Sequence, residues 1–253
     1  MTQKGPWPGR FVWHDLMTTD AAKSKDFYCS LFDWTIDERP MPGFTYHMIV
    51  AGDGGIGGIV EEKAIPMSHW MHYVATLDID ASVARCKELG GSVCIGPADI
   101  PQTGKFAVVS DPQGGYFSLF EGLPESPGVD PDAPCVGRVC WNELLTTDDG
   151  GAQSFYSAMF DWQDAPRDLG PMGTYHVQTL GDAQVAGIMK NPAPGLPTYW
   201  VPYFFVSDLE ASTKRAKGLG ATCHVELMPI EGVGRFSMLQ DTLGACFALF
   251  ATP

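Results

Sequence analysis

The chain contains one pattern twice, and no other feature narrows its possible architecture so far. Gly9–Trp34 reads GRFVWHDLMTTD…FYCSLFDW and Gly137–Trp162 reads GRVCWNELLTTD…FYSAMFDW, with 12 of 26 positions identical. The match resumes where Pro42–Ile59 lies over Pro171–Ile188, pairing T-Y-H with T-Y-H and the G-G-I of 57–59 with A-G-I. It continues from Trp70–Phe120 over Trp200–Phe250, pairing Lys87, Leu89, Gly90, Gly104, Phe106, Asp111, Gly114 and Phe117 with their counterparts. The offset steps from 128 to 129 to 130, one residue at a time and between elements, as loop insertions do. A period of about 128 residues is too long for a stacking solenoid, so each copy is expected to be a complete domain. Glu121–Pro134, with four prolines, four acids and two glycines, has boundary composition. The expected organisation is a domain over 8–122, a linker over 123–134 and a second domain over 135–251.

Within a copy the periodicity alternates between two and 3.6. Arg10–Met17 alternates as a strand, Thr18-Thr19-Asp20 supplies helix-cap chemistry, and Asp20–Phe32 has helical spacing. Tyr46–Ala51 and Ile56–Glu61 read as a hairpin across Gly52–Gly55. Trp70–Leu77 reads as a strand, and Ile79–Leu89 as a helix stopped by Gly90-Gly91. Strands follow at Val93–Ile95, Gly104–Val109 and Gly115–Glu121. The expected fold class is α+β: each domain two βαβββ units, forming a curved mixed sheet around a cavity in which a ligand would sit.

Asp and Glu number 30 against 16 Lys and Arg, a net charge of 16 − 30 = −14. Phosphate backbones and anionic lipid surfaces would be repelled, so neither nucleic acid nor membrane is an expected partner. No stretch approaches the roughly 18 apolar residues of a membrane span, and the first ten residues lack a signal-peptide pattern. Seven scattered cysteines without a C-x-x-C pair are expected to be small buried hydrophobes in a reducing cytoplasm.

The run W-x-[DE]-L-x-T-x-D…FY…LF-x-W, then Y-H, G-G-I or A-G-I, G-[KR]-F and D-P-Q-G-G-Y-F, resembles the vicinal oxygen chelate superfamily of glyoxalases, bleomycin-resistance proteins and extradiol dioxygenases. The resemblance covers both copies and looks closest to tandem glyoxalase-like proteins. Metal-dependent members carry His, Glu or Gln ligands on the first and last strands of each unit. Carried onto this sequence, the resemblance places Trp13, Gly58, His72 and Ser118 at the ligand positions of copy one. Trp141, Gly187, Pro202 and Ala248 take them in copy two. Only His72 of these eight can ligate an ion. The resemblance therefore implies no cofactor, with a divalent metal on unaligned donors such as His72, Asp15 and Glu121 as the alternative. Ligand contact is expected from Trp13, Asp15, His72, Ser118, Trp141, Glu143 and Ala248.

Other candidates come from the residues themselves. Asp15 and Glu143 share a strand face with Trp13 and Trp141, where a carboxylate serves as base, as hydrogen-bond acceptor or as a structural partner. Tyr46-His47 and Tyr175-His176 recur with one member of each pair inward. With His47 inward it pairs with Asp15 as acid and base; with Tyr46 inward His47 packs on the helix. His47, His72, His176, Asp15 and Glu143 are thus the catalytic candidates. His14, opposite Trp13, is expected at a surface or interface. Lys105 and Arg235 follow a glycine and read as solvated edge charges or anion receptors. The glycines near residue 55 sit in a hairpin and not before a helix, which excludes a phosphate loop. Three functions fit: a metal-free binder of a small organic ligand, a metal-dependent lyase or isomerase of the lactoylglutathione-lyase type, or an interaction protein with vestigial pockets. With four units on one chain, either a monomer or a homodimer is compatible.

Overall fold

A computed structural model describes residues 7–52, 54–123, 135–193 and 195–253. The expected linker, from residue 124 to 134, lies outside the described residues. In repeat one the order is β1 (Phe11–Thr18), α1 (Ala21–Leu31), β2 (Thr35–Met41), β3 (Phe44–Ala51), β4 (Gly54–Glu61), β5 (His69–Ala75), α2 (Ile79–Glu88), β6 (Ser92–Ile100), β7 (Gly104–Ser110) and β8 (Tyr116–Gly122). Repeat two gives β9 (Val139–Thr146), α3 (Asp149–Phe160), β10 (Gln163–Asp168), β11 (Thr174–Leu180), β12 (Ala183–Lys190), β13 (Tyr199–Phe205), α4 (Leu209–Gly218), β14 (Thr222–Ile230), β15 (Gly234–Gln240) and β16 (Cys246–Ala251). The α+β expectation and the fourfold βαβββ pattern hold. No helix among the described residues is long and apolar enough to cross a membrane.

All four helices start the same way. Asp20, Asp78, Asp148 and Asp208 have extended backbone, and each accepts the N–H three residues on, at 2.9–3.1 Å. That bond satisfies one of the amides a helix start leaves open. In repeat one, glutamates at the end of each module's own last strand add to it: Glu61 accepts from Ala21 N at 3.1 Å and Glu121 from Ile79 N at 2.8 Å.

Each repeat supplies one eight-stranded mixed sheet, ordered β2-β3-β4-β1-β5-β8-β7-β6 in repeat one and β10-β11-β12-β9-β13-β16-β15-β14 in repeat two. Hairpin neighbours are antiparallel, whereas β1 with β4, β5 with β8, β12 with β9 and β13 with β16 run parallel across a helix. Strands β2 and β10 were not legible in the sequence. Their residues, TIDERPM and QDAPRD, are mostly exposed and polar, so they lack the apolar face that marks a strand.

The chain forms two compact units, and each draws on both repeats. Among the described residues, the first holds those up to 12, from 72 to 123 and from 141 to 200; the second holds those from 13 to 71, from 135 to 140 and from 201 to 253. The second unit's core joins Leu16, Phe27, Tyr28, Trp34, Ile59 and Trp70 to Phe204, Leu239, Phe247 and Leu249. The first unit's core joins Val74, Phe117 and Leu119 to Leu144, Tyr156, Trp162, Ile188 and Trp200.

One polar arrangement recurs inside both cores. The Tyr28 hydroxyl donates to Asp241 Oδ2 at 3.0 Å and receives the Trp70 indole N–H at 3.3 Å; Tyr156 does the same with Asp111 at 3.0 Å and Trp200 at 3.1 Å. The second oxygen of each aspartate accepts two amides of its own turn, Gln113 and Gly115 or Leu243 and Ala245, at 2.7–2.9 Å. The aspartates of the D-P-Q-G-G and D-T-L-G-A turns are thereby satisfied in an apolar setting. Burial nevertheless raises both carboxyls above the usual 3.8, against the pull of those bonds.

The seven cysteines form no disulfide. Only Cys86 is buried, while Cys94 and Cys140 are exposed, so the expectation of buried thiols fails for most of them.

Candidate functional site

Strand alternation puts Trp13 and Asp15 on one face of β1, away from the core residue Leu16. The Tyr46 ring of β3 meets them there. Its hydroxyl donates to Asp15 Oδ1 at 2.7 Å and accepts the Trp13 indole N–H at 2.7 Å, and that same N–H lies 3.0 Å from Asp15 Oδ1. Repeat two builds the same cluster with a longer acid. Trp141 Nε1 donates to the Tyr175 hydroxyl at 2.7 Å, and that hydroxyl donates to Glu143 Oε2 at 2.9 Å. The carboxylates are 5% and 6% exposed, under half-buried aromatic rings.

Both tyrosines need a bare strand beneath them. A Cβ built at Gly58 would fall on the Tyr46 Cζ and hydroxyl oxygen, and one at Gly187 on the same atoms of Tyr175. Gly58 is the register partner of Asp15 and Gly187 that of Glu143, so each glycine lies beside the acid in the sheet. The second glycine of G-G-I and the glycine of A-G-I leave room for a ring, which neither the composition nor a phosphate-loop reading explains.

Burial, then the Glu143 charge, push the Tyr175 phenol well above its usual 10, with the indole N–H pulling the other way. The phenol stays protonated and keeps its bond to the acid.

The histidines lie elsewhere. His47 turns from Asp15 toward the edge strand, with Nδ1 3.4 Å from Glu38 Oε1, which also takes Lys25 Nζ at 2.9 Å. His176 sits 2.9 Å from Asp164 Oδ2 and 3.7 Å from Asp149 Oδ2. Tyrosine, not histidine, is therefore the inward member of both pairs, and the His47–Asp15 pairing does not form. His72 is fully buried, its ring 5.9 Å from both Phe11 and Trp200 in the first unit's core. Ser118 is buried in register with Tyr73, and its Oγ has no hydrogen-bond partner among the described residues. Ala248 is buried in register with Tyr203, whose ring lies 5.6 Å from Phe236. His14, expected at a surface or an interface, and its counterpart Asn142 are 8% and 7% exposed, so the surface alternative fails. Arg235 pairs with Glu210 at 2.7 Å on the surface, an ordinary exposed ion pair.

The residues at the aligned positions do not fit the divalent ion that was the alternative expectation. Indole and glycine cannot ligate, the tyrosine hydroxyl covers the glycine position, and Glu121 is committed to the start of α2. Among the described residues no three His, Cys, Asp or Glu side chains converge as a metal would require.

The sequence matches the Glyoxalase/Bleomycin resistance protein/Dioxygenase superfamily over residues 10–119. It is 33% identical over 245 residues to CFP32 of Mycobacterium tuberculosis, a protein that carries a provisional glyoxylase name; the match covers 94% of this chain and 92% of that one. It is also 33% identical over 262 residues to the anthracycline biosynthesis protein DnrV of Streptomyces peucetius, covering 96% and 93%. Among solved structures, the Mn(II)-bound glyoxalase of Novosphingobium aromaticivorans superposes with a TM-score of 0.68 at 13% identity, over 96% of this chain and 82% of that one. The 2,2',3-trihydroxybiphenyl 1,2-dioxygenase of Sphingomonas wittichii does so with a TM-score of 0.69 at 11% identity, over 96% and 90%. At such identities these two share the fold.

Proposed function

Because this chain belongs to the glyoxalase/bleomycin resistance/dioxygenase superfamily, we propose that it binds a small, flat organic molecule against the Trp–Tyr–carboxylate cluster of each repeat, without the family's divalent ion. The observation that carries this reading is the cluster itself. It is built twice, with a tyrosine laid over Gly58 or Gly187, positions to which the family resemblance assigns a metal ligand. A half-buried indole beside a phenol ring offers a flat ligand stacking area worth about 0.5–1.5 kcal/mol per aromatic pair beyond its burial. The Streptomyces relative is named for anthracycline biosynthesis, and anthracyclines are flat ring systems, which supports the ligand class. The competing lyase reading would need donors that this chain employs elsewhere, His72 in a core and Glu121 at a helix start.

Titration of EDTA-treated protein with 2-hydroxyanthraquinone, followed by tryptophan fluorescence, tests the proposal. Saturable quenching is expected, with affinity at least about tenfold weaker in Trp13→Phe/Trp141→Phe. Binding that appears only when manganese, nickel, zinc or iron is added, or elemental analysis showing one such ion per repeat, would overturn the metal-free reading.

A further inference from the structure

We infer that the two clusters are not interchangeable: the residue beside the indole, Gly55 in repeat one and Gln184 in repeat two, sets which ligand each takes, a bare flat ring system in repeat one and a ring carrying a carbonyl or carboxamide in repeat two. This deepens the binding reading above and rests on it.

The strand beside Trp13 is bare. A Cβ built at Gly55 would lie 3.0 Å from Trp13 Cη2 and 3.1 Å from Met48 Sδ, so the benzo end of the indole and the thioether close down over this glycine. The pyrrole end is held by the Tyr46 hydroxyl at 2.7 Å, with Asp15 Oδ1 at 3.0 Å. Trp13 is thus fixed at both ends, and a ring already in place spares a ligand the ordering cost of binding. The side chains that follow Tyr46 on the same face of β3, Met48 and Val50, are apolar. Shape and apolar area decide what stacks there.

Repeat two keeps the strand register and changes the residues. Val50 lies opposite Gly55 and Thr179 opposite Gln184, with the strand irregularity at the same step, so Gln184 stands in the place of Gly55 and Val177 in that of Met48. The Gln184 stem thereby takes the room that the Trp13 ring and the Met48 sulfur share over the glycine. The Trp141 N–H bonds the Tyr175 hydroxyl at 2.7 Å, which leaves the far end of this indole beside position 184. Gln184 is exposed, and its amide brings an acceptor oxygen and two N–H donors to that rim. A ligand stacked on Trp141 gains from an oxygen or an amide turned toward Gln184, whereas a ligand on Trp13 meets hydrogen and sulfur at the equivalent point. Gly55 and Gln184 belong to different units, so each site is built within its own.

Two neutral probes on one ring system test this, naphthalene and 2-naphthamide. Protein carrying fluorotryptophan is titrated with each and followed by fluorine NMR, the Trp13 and Trp141 signals being assigned from Trp13→Phe and Trp141→Phe. Naphthalene is expected to move the Trp13 signal at lower concentration than the Trp141 signal. At Trp141 the carboxamide is expected to bind about fivefold tighter than naphthalene, the contribution of one neutral hydrogen bond, and at Trp13 no tighter. Gln184→Leu, which keeps a stem and loses the amide, should bring the two probes to within about twofold at Trp141 and leave the Trp13 titrations unchanged, which also reports that the variant is folded. If the probes do not discriminate between the two signals, or the carboxamide preference survives in Gln184→Leu, the assignment is overturned while the binding reading stands. If neither probe moves either signal, the assignment is likewise overturned, and failure of 2-hydroxyanthraquinone as well would overturn the binding reading itself.

Discussion

Tyr46 over Gly58, and Tyr175 over Gly187, are paired choices: the ring and any side chain larger than hydrogen exclude one another. Gly58→Ala is therefore expected to destabilise by about 1–3 kcal/mol, the usual range for overpacking. Adding Tyr46→Ala should return much of that loss, so the double-mutant cycle in urea should show a coupling above about 1 kcal/mol. An additive result would mean that the ring does not rest on the glycine. Tyr175→Phe, which leaves Glu143 without the phenol and the indole without its acceptor, should cost about 1–3 kcal/mol in the same assay. At this scale the sequence was partly legible. Trp13 and Asp15, two apart in an alternating strand, declare a shared face. The dipeptides Tyr46-His47 and Tyr175-His176 do not declare which member turns inward, because two adjacent residues are compatible with either phase of the pleat. The signal that decides it lies in another strand, at the glycines that make room for a ring.

At the scale of elements, the turn aspartates and the edges of the sheets carry the physics. Asp111 and Asp241 have folded-state values raised above 3.8, so folding favours their protonated forms. Their contribution to stability is full below the unfolded value near 3.8 and is lost as pH rises through the raised folded value. The neutral Asp241→Asn lacks this titration. The stability of wild type relative to Asp241→Asn should fall as pH is raised from below 3.8 into the mildly acidic range, as read from urea midpoints. A flat difference would show that the turn amides fully compensate burial. The four edge strands, β2, β6, β10 and β14, each contain one proline: Pro40, Pro97, Pro166 and Pro229. A proline denies an incoming strand one N–H and so protects an open edge. Pro97→Val, beside the exposed Ile95, should increase self-association in light scattering while leaving the helical signal unchanged. The same polarity that guards the edges hid β2 and β10 from the sequence, since a strand that need not bury a face shows no alternation.

Over the whole molecule, the repeat is the unit of sequence and of the sheet but not of the core. Tyr28 of repeat one is bonded to Asp241 of repeat two, and Tyr156 of repeat two to Asp111 of repeat one. Likewise Trp34 donates to the Gly137 carbonyl at 2.9 Å and Trp162 to that of Gly9 at 2.8 Å. The sequence displays the duplication plainly, because identity along the chain is visible by inspection. It cannot display which half of one copy packs with which half of the other, because both copies present the same apolar faces. Residues 1–123 expressed alone are expected to be monomeric and unfolded or to pair with a second copy, and co-expression with 124–253 should yield a one-to-one folded complex by size-exclusion light scattering. A folded, monomeric first repeat would contradict the shared cores. The arrangement also bears on heredity. A duplicated segment ordinarily frees one copy to drift while its twin keeps working, but here damage to either copy empties half of a hydrophobic interior that the other cannot refill. Selection must hold both, and the ancestral wording stays readable in each.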